Sequence, residues 1–199
     1  MFVEPHHLDS DSGWIEVICG SMFSGKTEEL IRRMRRAEFA NQKVRIFKPA
    51  TDTRFAEDAV VAHTGNQIPS ETVTSARQIL LMLGDEQVVG IDEAQFFDDS
   101  IVDVANELAN RGIRVLVAGL DMDYQGKPFG PMPLLLATAE FVTKLHAICV
   151  RTGRLAHYSH RRLSRDNSSD EKQIKLGARE AYEPLSRQAY LEARKRSGK

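Results

Sequence analysis

Short apolar runs alternate along the chain with stretches whose apolar residues recur every three or four positions, the layout of a parallel sheet whose strands are joined by helices. Trp14-Ile-Glu-Val-Ile-Cys19 reads as the first strand, Val44-Arg-Ile-Phe-Lys-Pro49 as the second and Gln87-Val-Val-Gly-Ile-Asp92 as the third. Arg114-Val-Leu-Val-Ala-Gly-Leu120 reads as the fourth, and the run from Phe141 to Cys149 as the fifth. After the first strand, Leu30, Met34 and Ala37 share one helical face, while Arg32, Arg33, Arg35 and Arg36 fall mostly off it and read as a solvated outer face. Ile101, Val104, Ala105 and Leu108 repeat at helical spacing, with Gly112 placed for a left-handed stop. The segment from Asp58 to Thr72, containing Val60-Val-Ala-His-Thr-Gly-Asn66, alternates around a turn signal and reads either as a hairpin or as a mobile loop. Residues 1–12 and the basic tail Arg194-Lys-Arg-Ser-Gly-Lys199 have the composition of poorly ordered ends.

The chemistry sits where this layout changes from strand to helix. Gly20-Ser-Met-Phe-Ser-Gly-Lys-Thr27 follows the first apolar run and opens the first helix, so its glycines let backbone N–H groups close around phosphates at the positive end of that helix. Lys26 would then reach the β and γ oxygens, and Thr27 would offer its hydroxyl to Mg²⁺. Asp92 and Glu93 end the third strand; in such a site Asp92 holds Mg²⁺ through water and Glu93 is placed to take the proton of an attacking hydroxyl. Residues 46–54 and 118–133 bring acids, an arginine and aromatics to strand ends, where ligands gather in α/β sheets, and read as walls of a small-molecule pocket.

Composition bears mainly on partners. With 199 residues, 42% apolar and 28% charged, the chain can bury a substantial core in one main domain. Its 27 Lys and Arg against 28 Asp and Glu give a net charge of −1, unlike a protein that lives on the phosphate backbone of nucleic acid. That weighs against a nucleic-acid-dependent ATPase, the rival suggested by Asp-Glu-Ala. Cys19 and Cys149 are too few for a disulfide framework, no apolar stretch approaches a membrane span, and the first residues lack a signal-peptide layout; a cytoplasmic protein with no membrane partner is the expectation.

Six blocks carry a resemblance to a known family: Gly20-Ser-Met-Phe-Ser-Gly-Lys-Thr-Glu-Glu-Leu30, Phe47-Lys-Pro-Ala-Thr-Asp-Thr-Arg54, Ile91-Asp-Glu-Ala-Gln-Phe-Phe97, Ala118-Gly-Leu-Asp-Met-Asp-Tyr124, Lys127-Pro-Phe-Gly-Pro-Met-Pro133 and Gly177-Ala-Arg-Glu-Ala-Tyr-Glu-Pro-Leu185. In this order they resemble the thymidine kinases of the type found in many bacteria and in the animal cytosol. The resemblance implies a RecA-like P-loop α/β domain over 13–145 and a small lasso or lid domain over 146–190, between a flexible N-terminal segment at 1–12 and a basic tail at 191–199. It implies transfer of the ATP γ-phosphoryl group to the 5′-hydroxyl of thymidine, with deoxyuridine as a weaker substrate. Glu93 would be the base, Lys26 and Arg54 would act on the phosphoryl group, and Gly20, Ser21, Met22, Phe23, Ser24, Gly25, Thr27, Asp52, Asp92, Ala94 and Gln95 would complete the ATP and Mg²⁺ site. Met22, Phe96, Leu120, Tyr124, Phe129, Ser159, Gln173, Lys175 and Tyr182 would bind the nucleoside. Core packing is the alternative reading of Leu120, Phe96 and Phe129. A homotetramer and feedback inhibition by thymidine triphosphate are further family expectations.

One departure stands out. Where the family pins its lasso with two Cys-x-x-Cys-like zinc pairs, this chain has Cys149-Val-Arg-Thr152 and Ser186-Arg-Gln-Ala189, so Cys149 is the one retained ligand and no structural zinc is expected. His146, His157 and His160 lie near Cys149, but no second cluster supplies the other end of a rebuilt site. In place of zinc, the candidates are charged residues (Arg151, Arg154, Arg161, Arg162, Asp170, Glu171), packing of Leu155, Leu176 and Leu185, or subunit contacts. A nucleotide-binding protein without turnover is the remaining alternative, opposed by the intact Lys26, Thr27, Asp92 and Glu93.

Overall fold

The computed structural model describes residues 13–50, 59–61, 67–162 and 181–196. Twelve strands are numbered in chain order: β1 Trp14–Gly20, β2 Val44–Pro49, β3 Ala59–Val61, β4 Gln67–Pro69, β5 Glu71–Val73, β6 Val88–Ile91, β7 Arg114–Leu120, β8 Phe141–Leu145, β9 Ala147–Ile148, β10 Leu155–Ala156, β11 Tyr158–Arg161 and β12 Tyr182–Leu185. The helices described fully are α1 Lys26–Phe39, α2 Ala76–Met82, α3 Ser100–Asn110, α4 Met132–Thr138 and α5 Arg187–Arg196.

Six strands form one sheet in the order β5-β2-β6-β7-β1-β8, and every neighbouring pair is parallel. The central strands are apolar because helices cover both faces: all seven residues of β7 and all four of β6 are buried. On one face α2, α3 and α4 pack through Ile79, Ile101, Leu108 and Leu135 against Ile15, Val89 and Val117. On the other, Leu30, Ile31 and Met34 of α1 meet Ile18, Val88 and Leu116. The helix after the phosphate-loop motif buries Leu30, Met34 and Ala37 as its spacing predicts, and Gly112 stands at φ 85° just beyond α3.

Four readings change. The basic tail read as a poorly ordered end is helical as far as Arg196, because α5 runs on with Ala189, Tyr190 and Ala193 buried on one face. The arginine cluster is not uniformly solvated: Arg33 is 0% exposed and pairs at 2.7 Å with Glu16, itself 0% exposed in the middle of β1. The expected fifth strand breaks at His146, with β8 in the main sheet and β9 paired with β10 in a separate antiparallel ribbon. Of the two readings for residues 58–72, the hairpin is the one observed, since β3 and β4 pair antiparallel; the following β5 adds an edge strand to the main sheet that the pattern did not separate out. Beyond β8 a second, smaller core gathers Cys149, Ala156, Tyr158, Leu185, Ala189 and Tyr190 from β9–β12 and α5.

Candidate active site

Parallel strands all point their C-terminal ends the same way, so the loops after β1, β6 and β7 meet at one edge of the sheet. The segment Gly20–Gly25 leaves β1 with Phe23 at φ 65° and Gly25 at φ 86°, and Gly25 caps α1 in left-handed conformation. Gly20 must be glycine: its φ is 146°, and a Cβ there would lie 2.2 Å from the Leu145 carbonyl oxygen. Lys26 donates from Nζ to the Ser21 carbonyl at 2.9 Å, folding back along its own loop. Thr27 Oγ1 donates to Asp92 Oδ2 at 3.2 Å, which brings together the two residues read as the Mg²⁺ side of the site. One strand, β7, separates β6 from β1, and the Thr27–Asp92 contact spans that gap.

Glu93 occupies left-handed backbone, φ 52° and ψ 39°, an uncommon state for a non-glycine residue and one that turns the chain sharply out of the sheet. Its N–H donates to Asp92 Oδ1 at 2.9 Å. Gln95 Nε2 donates to the Glu93 carboxylate, and Gln95 Oε1 accepts the Leu120 N–H at 2.9 Å. Gln95 is buried, and its amide spans from Glu93 to the end of β7, a brace that no local sequence pattern marks. Ala94 is also buried, with its side chain in the main core.

Next to Glu93 lies an apolar cluster of Met22, Leu120, Phe129 and Tyr182, with Phe23, Phe96, Tyr124 and Ala181 packed against it. Phe96 and Phe129 meet edge to face at 5.8 Å, and Arg161 lies over the Tyr124 ring at 5.7 Å. Six of the residues read as nucleoside-binding therefore come together here. Ser159 joins the site differently: its Oγ accepts the Met22 N–H at 2.9 Å, tying β11 to the loop after β1. Asp52, Arg54, Gln173 and Lys175 lie outside the described residues, as do Asp170, Glu171 and Leu176. Cys19 adjoins the site, where burial and then Asp121 push its thiol up to about 11, so it is no nucleophile.

The knuckle formed by residues 149–152 and 186–189 has its own chemistry. Thr152 Oγ1 donates to Ser186 Oγ at 3.3 Å, and the Ala189 N–H donates to the same oxygen at 3.4 Å. Burial pushes the Cys149 thiol up, but hydrogen bonds from Thr152 and Ser186 and from the backbone of Ser186 and Arg151 bring it down to about 6. Arg151 pairs with the buried Glu183 of β12, a partner the sequence reading missed because it considered only Asp170 and Glu171. Among the described residues no group of three or more His, Cys, Asp or Glu could hold a metal ion, and Thr, Ser and Ala do not supply the ligands a tetrahedral zinc site needs.

A solved genome packaging NTPase, B204 of Sulfolobus turreted icosahedral virus 2, aligns with TM-score 0.44 and 13% identity, covering 68% of this chain and 75% of that one. In sequence, a thymidine kinase of Bacteroides thetaiotaomicron is 57% identical over 199 residues, covering 100% of this chain and 98% of that protein. A thymidine kinase of Porphyromonas gingivalis is 55% identical over 189 residues, covering 94% and 90%, and one of a Rhodothermus species is 56% identical over 178 residues, covering 89% and 81%. The thymidine kinase family model matches residues 13–190, which takes in β1 through β12, Glu93 with its brace and the knuckle alike; the chain belongs to the thymidine kinase family.

Proposed function

We propose that this chain transfers the γ-phosphoryl group of ATP to the 5′-hydroxyl of thymidine, and more weakly of deoxyuridine, giving the 5′-monophosphate in pyrimidine deoxynucleotide salvage. The observation that carries this reading is the junction at Glu93: its N–H is bonded to Asp92, which pairs with Thr27, and its carboxylate is linked through Gln95 to Leu120 of the apolar cluster. A carboxylate between a phosphate loop and an apolar slot suits a nucleoside alcohol as acceptor.

In this reading the backbone N–H groups of 20–25 and Lys26 hold the phosphates, with Arg54 and Asp52 beside them. Thr27 and Asp92 have the hard oxygen donors that Mg²⁺ takes; when bound, the ion would offset charge on the ATP phosphates. Glu93, oriented by Gln95, accepts the 5′-hydroxyl proton as the oxygen attacks in line. The apolar cluster takes the deoxyribose and base, and the 146–190 lid, with Gln173 and Lys175, closes over the base above the 13–145 nucleotide domain. Ser159 contributes by holding the Met22 backbone against the lid. A cytoplasmic homotetramer inhibited by thymidine triphosphate in the same pocket completes the proposal on the family resemblance.

ADP release from Mg²⁺-ATP should depend on thymidine and be indifferent to single- or double-stranded polynucleotide. Turnover stimulated by polynucleotide alone would overturn the reading. We also place no zinc in the lid, whose knuckle is joined by the Thr152–Ser186 hydrogen bond and the Arg151–Glu183 ion pair. Treatment with a zinc-stripping chelator should leave the unfolding temperature unchanged and activity intact once Mg²⁺ is restored; a loss reversed only by zinc would refute this.

A further inference from the structure

The turn after β7 is tied to α5 as well as to the strands beside it. Residues 121–129 fold on themselves: the Asp123 N–H donates to the Lys127 carbonyl at 2.9 Å, and the Gly126 N–H donates to the Asp123 carbonyl at 3.0 Å. These local bonds shape the turn, and contacts from other elements tie it down: Lys144 of β8 pairs with Asp121 at 2.7 Å, Arg161 of β11 lies over the Tyr124 ring, and Tyr190, on α5, donates from Oη to the Tyr124 carbonyl at 3.1 Å. The Tyr190 ring is itself held. It stacks on Tyr158 of β11 with centroids 4.2 Å apart and planes 8° from parallel. Arg187 lies over the far ring at 5.3 Å, Arg194 lies over Tyr190 at 5.9 Å, and His160 meets Tyr190 edge on at 6.0 Å.

The turn is built to accept this stack. Gly126 sits at φ 76°, and a Cβ there would come within 3.1 Å of the Tyr158 ring and 3.4 Å of the Tyr190 oxygen. Burial pushes the Tyr190 hydroxyl up from its ordinary range, so it stays a donor across the working pH range. Both residues whose placement follows from the turn, Tyr124 and Phe129, belong to the apolar cluster beside Glu93.

We infer that Tyr190 is a positioning residue for the nucleoside pocket: through its hydrogen bond to Tyr124 it sets the height of the 121–129 turn over the bound sugar and base. The inference rests on reading that apolar cluster as the nucleoside site. Tyr190 touches no reacting atom, and its effect falls on acceptor binding rather than on the ATP side.

The test is steady-state kinetics of the full chain with Tyr190→Phe, which keeps the ring stack and removes the hydroxyl. One neutral hydrogen bond of this kind corresponds to a roughly two- to tenfold effect. KM for thymidine should rise by about that factor, several times more than kcat falls, while KM for ATP moves less than about twofold. Gly126→Ala, which puts a methyl group against the Tyr158 ring and the Tyr190 hydroxyl, should shift KM for thymidine in the same direction. A Tyr190→Phe protein with wild-type KM for thymidine, or with both KM values raised equally, would overturn the inference and leave the thymidine kinase reading standing. Wild-type turnover that does not depend on thymidine would instead remove the reading on which it rests.

Discussion

Glu93→Gln is expected to lower thymidine-dependent turnover by about 10²–10⁴-fold, the usual range for removing a general base, while ATP binding changes little. The substitution is close to isosteric, and the geometry explains why it isolates proton transfer. The amide oxygen of a glutamine can still accept the Gln95 Nε2–H, and the bonds that Glu93 makes through its main chain, from its N–H to Asp92 Oδ1 and from the Phe96 N–H to its carbonyl, are left in place by the side-chain change. What disappears is the ability to take a proton from the attacking hydroxyl. The measurement is kcat by ADP release together with ATP affinity of the variant. Retention of more than about a tenth of wild-type kcat would show that proton removal at this carboxylate is not what limits the reaction.

Chemistry that depends on local spacing was legible in the chain, because the loop at 20–27 and the acids at 92 and 93 have to be contiguous to work. Central strands were legible for a related reason: burial on both faces forces uninterrupted apolar runs such as Val115 to Ala118. What was missed arises between elements. The Gln95 brace spans from Glu93 to Leu120 across the end of the sheet, and no local pattern marks a glutamine that serves both ends. Tyr158 and Tyr190 stack only because β11 and α5 fold against each other, and Ser159 meets Met22 across 137 positions of sequence. The break at His146 escaped because β8 and β9 are both short and nearly contiguous, so one apolar pattern runs across two sheets. Arg33 did leave a trace. Glu16 interrupts an otherwise apolar strand, and a carboxylate there calls for a cation from the helix packed on it.

That cation sets the second large effect. Glu16 is fully buried and satisfied by three donors: Arg33 Nη1 at 2.7 Å, Arg114 Nε at 2.7 Å and Trp14 Nε1 at 2.8 Å. Arg33 also donates to Glu29 at 2.8 Å and to Thr143 Oγ1 at 2.9 Å, so it links α1 to β1 and to the edge strand β8. Arg33→Met keeps much of the volume but leaves Glu16 short of charge compensation in the interior, a change that costs about 3–5 kcal/mol. At roughly 2–4 °C per kcal/mol for a chain of this size, the unfolding temperature should fall on the order of 10 °C. Adding Glu16→Gln to that variant should restore part of the loss, because the stranded charge is then gone. The acid dependence has a definite sign. Burial raises the Glu29 carboxyl, but hydrogen bonds from Arg32 and Arg33 outweigh it and leave the group below its ordinary value. Its contribution is therefore full above the unfolded value of about 4 and is lost as pH falls through the lowered one, so the deficit of Arg33→Met should narrow in acid. A drop of less than about 2 °C at neutral pH would mean that Arg114 and Trp14 alone suffice for Glu16, and that the buried arginine of α1 adds little to the fold.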